Sequence, residues 1–158
     1  MYLLGILIII IDGLLLHFLP TYFNEINYLY PMLSITYIVA IYSYSNNYFK
    51  NAFIFGFIYD LLYSTIFFYN TLLFLLLAKV NKKIFNHIQN NLINKISILI
   101  INIIIYDTIN FLIIYFSKYN LVSINDLIYK VLHSIPLNIL SLFLIIFLLK
   151  KLRLKHKL

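Results

Sequence analysis

Cysteine and tryptophan are both absent from this chain, and glycine and proline occur three times each. Without cysteine there is no disulfide, no thiol nucleophile and no thiolate metal site. Charge is scarce as well. Charged residues make up 11% of the sequence, against about 25% in an ordinary soluble domain. That leaves too little polar surface to cover a globular exterior. The sequence also has no Gly-rich phosphate loop, no Ser-His-Asp set and no CxxC pair, and so no enzyme signature. Met1 to Leu7 lacks the basic start of a secretory signal, and no small-residue cleavage site follows. The segment is therefore expected to be a retained first helix.

The rest is mostly apolar: 63% hydrophobic and 18% aromatic residues, with a mean hydropathy of +0.94. A bilayer-crossing helix needs about 20 predominantly apolar residues. The composition predicts an all-α, polytopic membrane helix bundle. The predicted spans cover residues 2–19, 30–44, 48–68, 71–85, 92–116 and 131–149, with a basic tail over 150–158, all in one domain over 1–158. The break between the third and fourth spans falls at Tyr69-Asn70-Thr71 as a tight hairpin; a five-span alternative runs straight through Asn70. No internal repeat is visible.

Loop charge orients the bundle. With both termini cytoplasmic, the inner side holds Lys50, Lys79, Lys82, Lys83, Lys95, Lys150, Lys151, Arg153, Lys155 and Lys157. Lys118, Lys130, Glu25 and Asp126 lie outside, which is a positive-inside arrangement. The net charge of +7 therefore points to topology and anionic lipid rather than to nucleic acid. The tail from Lys150 to Leu158 is expected to anchor the last helix to headgroups.

The most telling segment is Asn51-Ala-Phe-Ile-Phe-Gly56-Phe-Ile-Tyr-Asp60-Leu-Leu. Residues four apart share a helix face, so Gly56 and Asp60 mark one stripe where a neighbouring helix approaches closely. Asp12, Asp60 and Asp107 all fall within predicted spans. Each of these acids must be protonated, hydrogen-bonded to Asn, Ser, Thr or Tyr, hydrated, or paired with a cation on another chain. Such acids serve either a proton or cation path, or a polar knot or docking contact between helices. Asn102, Tyr106 and Asn110 recur every four positions. They predict either a cavity or an interhelical hydrogen-bond network, with Asp107 beside them. The histidines His17, His87, His133 and His156 show no metal-ligand spacing.

The order of these features resembles the MreD family of rod-shape-determining bacterial membrane proteins. The resemblance rests on a proline-led second span, Pro31-Met-Leu-Ser-Ile-Thr-Tyr37. It continues through the Ala52 to Leu62 block with Gly56 and Asp60, and the run Asn70 to Ala78. Ile135-Pro136-Leu137-Asn138 is similar to the family's entry into its last helix. Tyr69-Asn70 stands where the family usually has Leu-Gly, and Leu137 where it tends to have Thr. The resemblance implies a non-enzymatic scaffold of the cell-elongation complex in the bacterial inner membrane, with no cofactor. It implies a single-span MreC-like partner and, through that partner, an MreB-like filament, a RodA-like glycosyltransferase and a class B penicillin-binding protein of peptidoglycan synthesis. On this account Gly56, Asp60, Asp107 and Asn138 form a partner-helix interface or intramembrane polar contacts. Because the architecture is also similar to the substrate-binding subunits of energy-coupling-factor transporters, the alternative is a vitamin- or metal-binding membrane subunit. Its cavity would be lined by Asn102, Tyr106, Asp107 and Asn110.

Overall fold

The computed structural model describes residues 2–18, 32–45, 47–64, 66–117 and 123–155. Pro20, Glu25, Pro31, Lys118, His156 and Lys157 lie outside these residues. All regular structure among the described residues is helical: α1 (Tyr2–Phe18), α2 (Leu33–Ile41), α3 (Tyr48–Tyr63), α4 (Tyr69–Phe85), α5 (Leu92–Ser117) and α6 (Ile124–Lys155). The expected all-α class holds. Two stretches, Leu92–Phe116 and Ile124–Leu152, are long and apolar enough to cross a bilayer, and a shorter apolar helix covers Tyr2–Leu15. The 16 residues of α3 extend about 24 Å at roughly 1.5 Å each, less than the ~30 Å hydrocarbon core.

α2 is the hub of the bundle and contacts all five other helices. Every residue from Ser34 to Ile41 is buried, as expected for a helix that is apolar all round. Phe55 of α3 meets Tyr37 of α2 edge-on, with ring centroids 5.2 Å apart. Such a pair contributes about 0.5–1.5 kcal/mol beyond its buried area. The outward faces remain apolar, with Leu3, Leu7, Ile10 and Leu14 exposed on α1 and Leu140, Leu144 and Phe147 exposed on α6.

α3 and α4 make the most extensive pairing and form separate helices, so the chain does not run straight through Asn70. The break comes earlier than expected. α3 ends at Tyr63, and Phe68, just before α4, has φ 64°. This left-handed conformation is uncommon outside glycine. The last helix departs further from expectation: it begins at Ile124 rather than residue 131. Ser123 and Asp126 form a reciprocal cap there, with Ser123 N–H donating to Asp126 Oδ2 at 2.8 Å and Asp126 N–H to Ser123 Oγ at 3.3 Å. This Ser-x-x-Asp box starts a helix in the segment that loop charge placed outside the span. Pro136 then lies inside α6 rather than at its entry. A proline removes one backbone donor. Nearby side chains engage the carbonyls around it: Ser134 Oγ donates to Val131 O at 2.9 Å and Asn138 Nδ2 to Ser134 O at 2.8 Å.

Lys82 and Lys95 lie at one end of the bundle. Lys82 near the end of α4 sits over the Phe49 ring at the start of α3. Lys95 in the first turn of α5 sits over Tyr44, just past α2. Ser43 and Asn90 exchange hydrogen bonds between the same two loops. The turn joining α3 to α4 lies at the opposite end.

Candidate functional site

The first backbone N–H groups of a helix have no acceptor within the helix, and away from water they need one from elsewhere. Neither α2 nor α4 supplies its own. Their N-cap residues are Met32 and Phe68, and neither makes a side-chain cap. The acids of the preceding helices take over. Asp12 of α1 accepts from Leu33 N–H at 3.1 Å, Ser34 N–H at 3.1 Å and Ser34 Oγ at 2.5 Å. Asp60 of α3 accepts from Asn70 N–H at 2.9 Å and Asn70 Nδ2 at 3.0 Å on one oxygen. Its other oxygen accepts from Thr71 N–H at 2.8 Å and Thr71 Oγ1 at 2.6 Å. Both carboxylates are 2% exposed. Each meets the partial positive charge of a helix N-terminus through charge-assisted bonds.

Asp107 of α5 closes the third hairpin differently. Lys130 of α6 places Nζ 3.1 Å from Asp107 Oδ1, with the lysine side chain 27% exposed and the carboxylate fully buried. Loop charge places Lys130 outside the spans, and a cation on another chain is one of the four states expected for a buried acid; the early start of α6 instead brings this chain's own Lys130 to Asp107. All three hairpins therefore share one device, an acid on the odd-numbered helix engaging the helix that follows.

Gly56 and Asp60 do lie on one stripe, but the stripe faces the chain's own α4. A Cβ at Gly56 would stand 2.6 Å from Thr71 Cα and 3.1 Å from Asn70 O. Those are backbone atoms, which cannot swing aside. The expected partner-helix interface at Gly56 and Asp60 is thus occupied from within the chain. Asn138, fully buried on α6, accepts from Thr36 Oγ1 of α2 at 3.2 Å.

The polar stripe on α5 divides. Tyr106 donates its hydroxyl to Asn70 Oδ1 at 3.1 Å, extending the Asp60 network to a third helix. Asn110 Oδ1 accepts from Tyr69 of α4 at 2.6 Å, and its Nδ2 donates to Tyr106 O at 3.0 Å. Asn102 is fully buried, and neither atom of its amide has a hydrogen-bond partner among the described residues. Tyr106 and Asn110 line a cavity of about 320 Å³ beside the α3–α4 turn; Asn102 and Asp107 do not. Buried Tyr59, Asn70 and Tyr106 contribute to its depth, Tyr69 and Asn110 form partly buried walls, and exposed Tyr63, Ile113 and Ile114 reach its mouth. A void of about 10 Å³ lies beyond Tyr59 and Tyr106, against Asp12 and Ser34.

Sequence reasoning named Asp12, Asp60 and Asp107 but not the groups they hold. Asn70-Thr71 after Phe67-Phe68 was a usable signal, because an apolar approach leaves the helix start without a local cap. Among the described residues no three His, Cys, Asp or Glu side chains group to hold a metal ion. His133 Nδ1 lies 2.8 Å from Tyr129 O. Comparison with family models, curated proteins and solved structures finds no match.

Proposed function

We propose that this chain is a multi-pass scaffold of the bacterial inner membrane, resembling MreD, which binds a single-span MreC-like partner in the cell-elongation complex. Its role is non-enzymatic: it helps bring an MreB-like filament, a RodA-like glycosyltransferase and a class B penicillin-binding protein to sites of peptidoglycan synthesis. On this reading Leu92–Phe116 and Ile124–Leu152 cross the bilayer, the shorter helices pack beside them within it, and the end that carries Lys82 and Lys95 is cytoplasmic. The observation that carries this reading is the internal engagement of every buried acid. Asp12 and Asp60 cap helices of the same chain and Asp107 pairs with Lys130, so the three buried acids among the described residues serve contacts within the bundle. What the protein offers a neighbour is its apolar exterior. The partner's helix then packs on outward stripes such as Leu3, Leu7, Ile10 and Leu14 of α1, not on Gly56.

A second reading, a substrate-binding membrane subunit, is favoured by the 320 Å³ cavity, a size typical of ligand pockets. Mild detergent extraction of tagged protein from its native membrane, followed by mass spectrometry, separates the two. Co-purification of a single-span coiled-coil protein with peptidoglycan synthases supports the scaffold. Paired ATPases with a coupling membrane subunit support the substrate binder and overturn the scaffold.

A further inference from the structure

The chemistry of the cavity beside the α3–α4 turn is unusual for a pocket at a helix N-terminus. Such a terminus ordinarily attracts anions, because its free N–H groups and dipole face the ligand. Here Asp60 already takes the N–H groups of Asn70 and Thr71, which satisfies the donors and offsets their positive charge. Asp60 itself is held behind Asn70, with both oxygens engaged twice, so it offers no cation a free ligand atom. No charged side chain contributes to the lining among the described residues. Anions and cations are both disfavoured there.

What remains is aromatic and uncharged. Four tyrosines line the cavity, with Tyr59 and Tyr63 packed edge-on at 5.3 Å. The carboxamides of Asn70 and Asn110 lie between them, each fixed by a phenol. Phenol rings offer flat apolar faces, and each carboxamide keeps one N–H and one oxygen lone pair beyond the bonds it makes within the protein, a combination suited to a ring with a polar edge. The left-handed Phe68 sits immediately before Tyr69 and Asn70, and strained backbone of this kind clusters at ligand sites.

We propose that this cavity binds a small uncharged ring compound bearing an amide-like edge of hydrogen-bond donors and acceptors. This names a ligand class for the cavity behind the second reading above, and it stands whether or not the chain is also a scaffold. Failure to recover an MreC-like partner leaves it untouched, and its own failure leaves the scaffold reading untouched.

Three isosteres that differ in charge test the inference: benzamide (neutral), benzoate (anionic) and benzamidinium (cationic). Saturation-transfer NMR is run on the full chain in detergent with each at millimolar concentration. The expected result is transfer to benzamide, with both charged isosteres binding at least about tenfold more weakly. Ile114 is 41% exposed at the mouth, so Ile114→Trp obstructs entry while leaving the melting temperature unchanged, and it should abolish the benzamide signal. Tyr69→Phe, which removes the hydroxyl held by Asn110, should weaken the signal without abolishing it. The proposal is overturned by no transfer to benzamide, by equal transfer to all three compounds, or by a benzamide signal that survives Ile114→Trp. The last result would assign the signal to partitioning into detergent.

Discussion

Replacing Asp60 by alanine removes all four hydrogen bonds at the start of α4. The side chains of Asn70 and Thr71 have rotamers that turn toward other acceptors. Their backbone N–H groups do not, because a first helical turn has no internal acceptor to fall back on. Both residues are buried, and a buried unsatisfied donor costs about 1–3 kcal/mol. Two of them predict a loss of about 2–6 kcal/mol, a large part of the 5–15 kcal/mol that holds a typical domain together. At roughly 2–4 °C per kcal/mol for a chain of this size, the melting temperature falls by about 5–20 °C. Thermal denaturation of the purified protein in detergent, followed by circular dichroism, measures the change. Asp60→Asn retains one acceptor oxygen but turns an NH₂ group toward the remaining donors, and should fall between wild type and Asp60→Ala. An Asp60→Ala protein within about 0.5 kcal/mol of wild type, the range of a neutral surface substitution, would refute the capping argument. The same reasoning changes the meaning of a partner-binding defect. Loss of a partner in an Asp60 or Gly56 variant reports first on the α3–α4 hairpin, and only through it on any surface.

Three further outcomes follow from the packing. Gly56→Ala gains up to about 1 kcal/mol of helix propensity, but its Cβ meets the Thr71 backbone at 2.6 Å. Overpacking of about 1–3 kcal/mol should therefore lower the melting temperature; a rise would show that the helices have room to part. Lys130→Met leaves the Asp107 carboxylate buried and unpaired and should destabilise by about 3–5 kcal/mol, whereas the double replacement Asp107→Leu with Lys130→Met should come out close to neutral. A double mutant as unstable as the single would remove the ion pair from the account. Asn102→Leu replaces an amide that has no partner among the described residues with an apolar side chain of similar size. It should raise stability by about 1–3 kcal/mol, read from the same melting curves, and a fall would mean that the amide is bonded.

Much of the architecture is legible in residue order because apolar runs and their interruptions dictate it. Helices α1, α2, α4 and α5 begin and end within three residues of the expected segments, and α3 begins where expected but ends five residues sooner. The last helix extends past the expected span at both ends; its charged first turns, Asp126 through Lys130, look like loop by composition. The Ser123-x-x-Asp126 box is the local signal that a helix has already started. The candidate site was legible in its residues but not in its contacts. Gly56 and Asp60 announce a close, polar helix approach, yet nothing in their spacing says whether the approaching helix belongs to a partner or to the next hairpin. That is settled by α4, whose start lacks a cap of its own. Nor does sequence similarity between hairpins reveal the repeated device. Asp12 meets Leu33-Ser34 across a long connection, Asp60 meets Asn70-Thr71 across a short one, and Asp107 meets a lysine. Only the placement of an acid near the beginning of the next helix is common to all three.

The central claim is that the acids of α1 and α3 hold the first turns of α2 and α4. Amide hydrogen exchange, resolved by NMR at Leu33, Ser34, Asn70 and Thr71 in detergent micelles, tests it most directly. Uncapped first-turn amides exchange freely; these four donate to no helical carbonyl and depend on the Asp12 and Asp60 carboxylates for an acceptor. The account predicts protection approaching that of mid-helix amides in wild type, lost at Asn70 and Thr71 alone in Asp60→Ala. Fast exchange at these positions in the wild-type protein would contradict it.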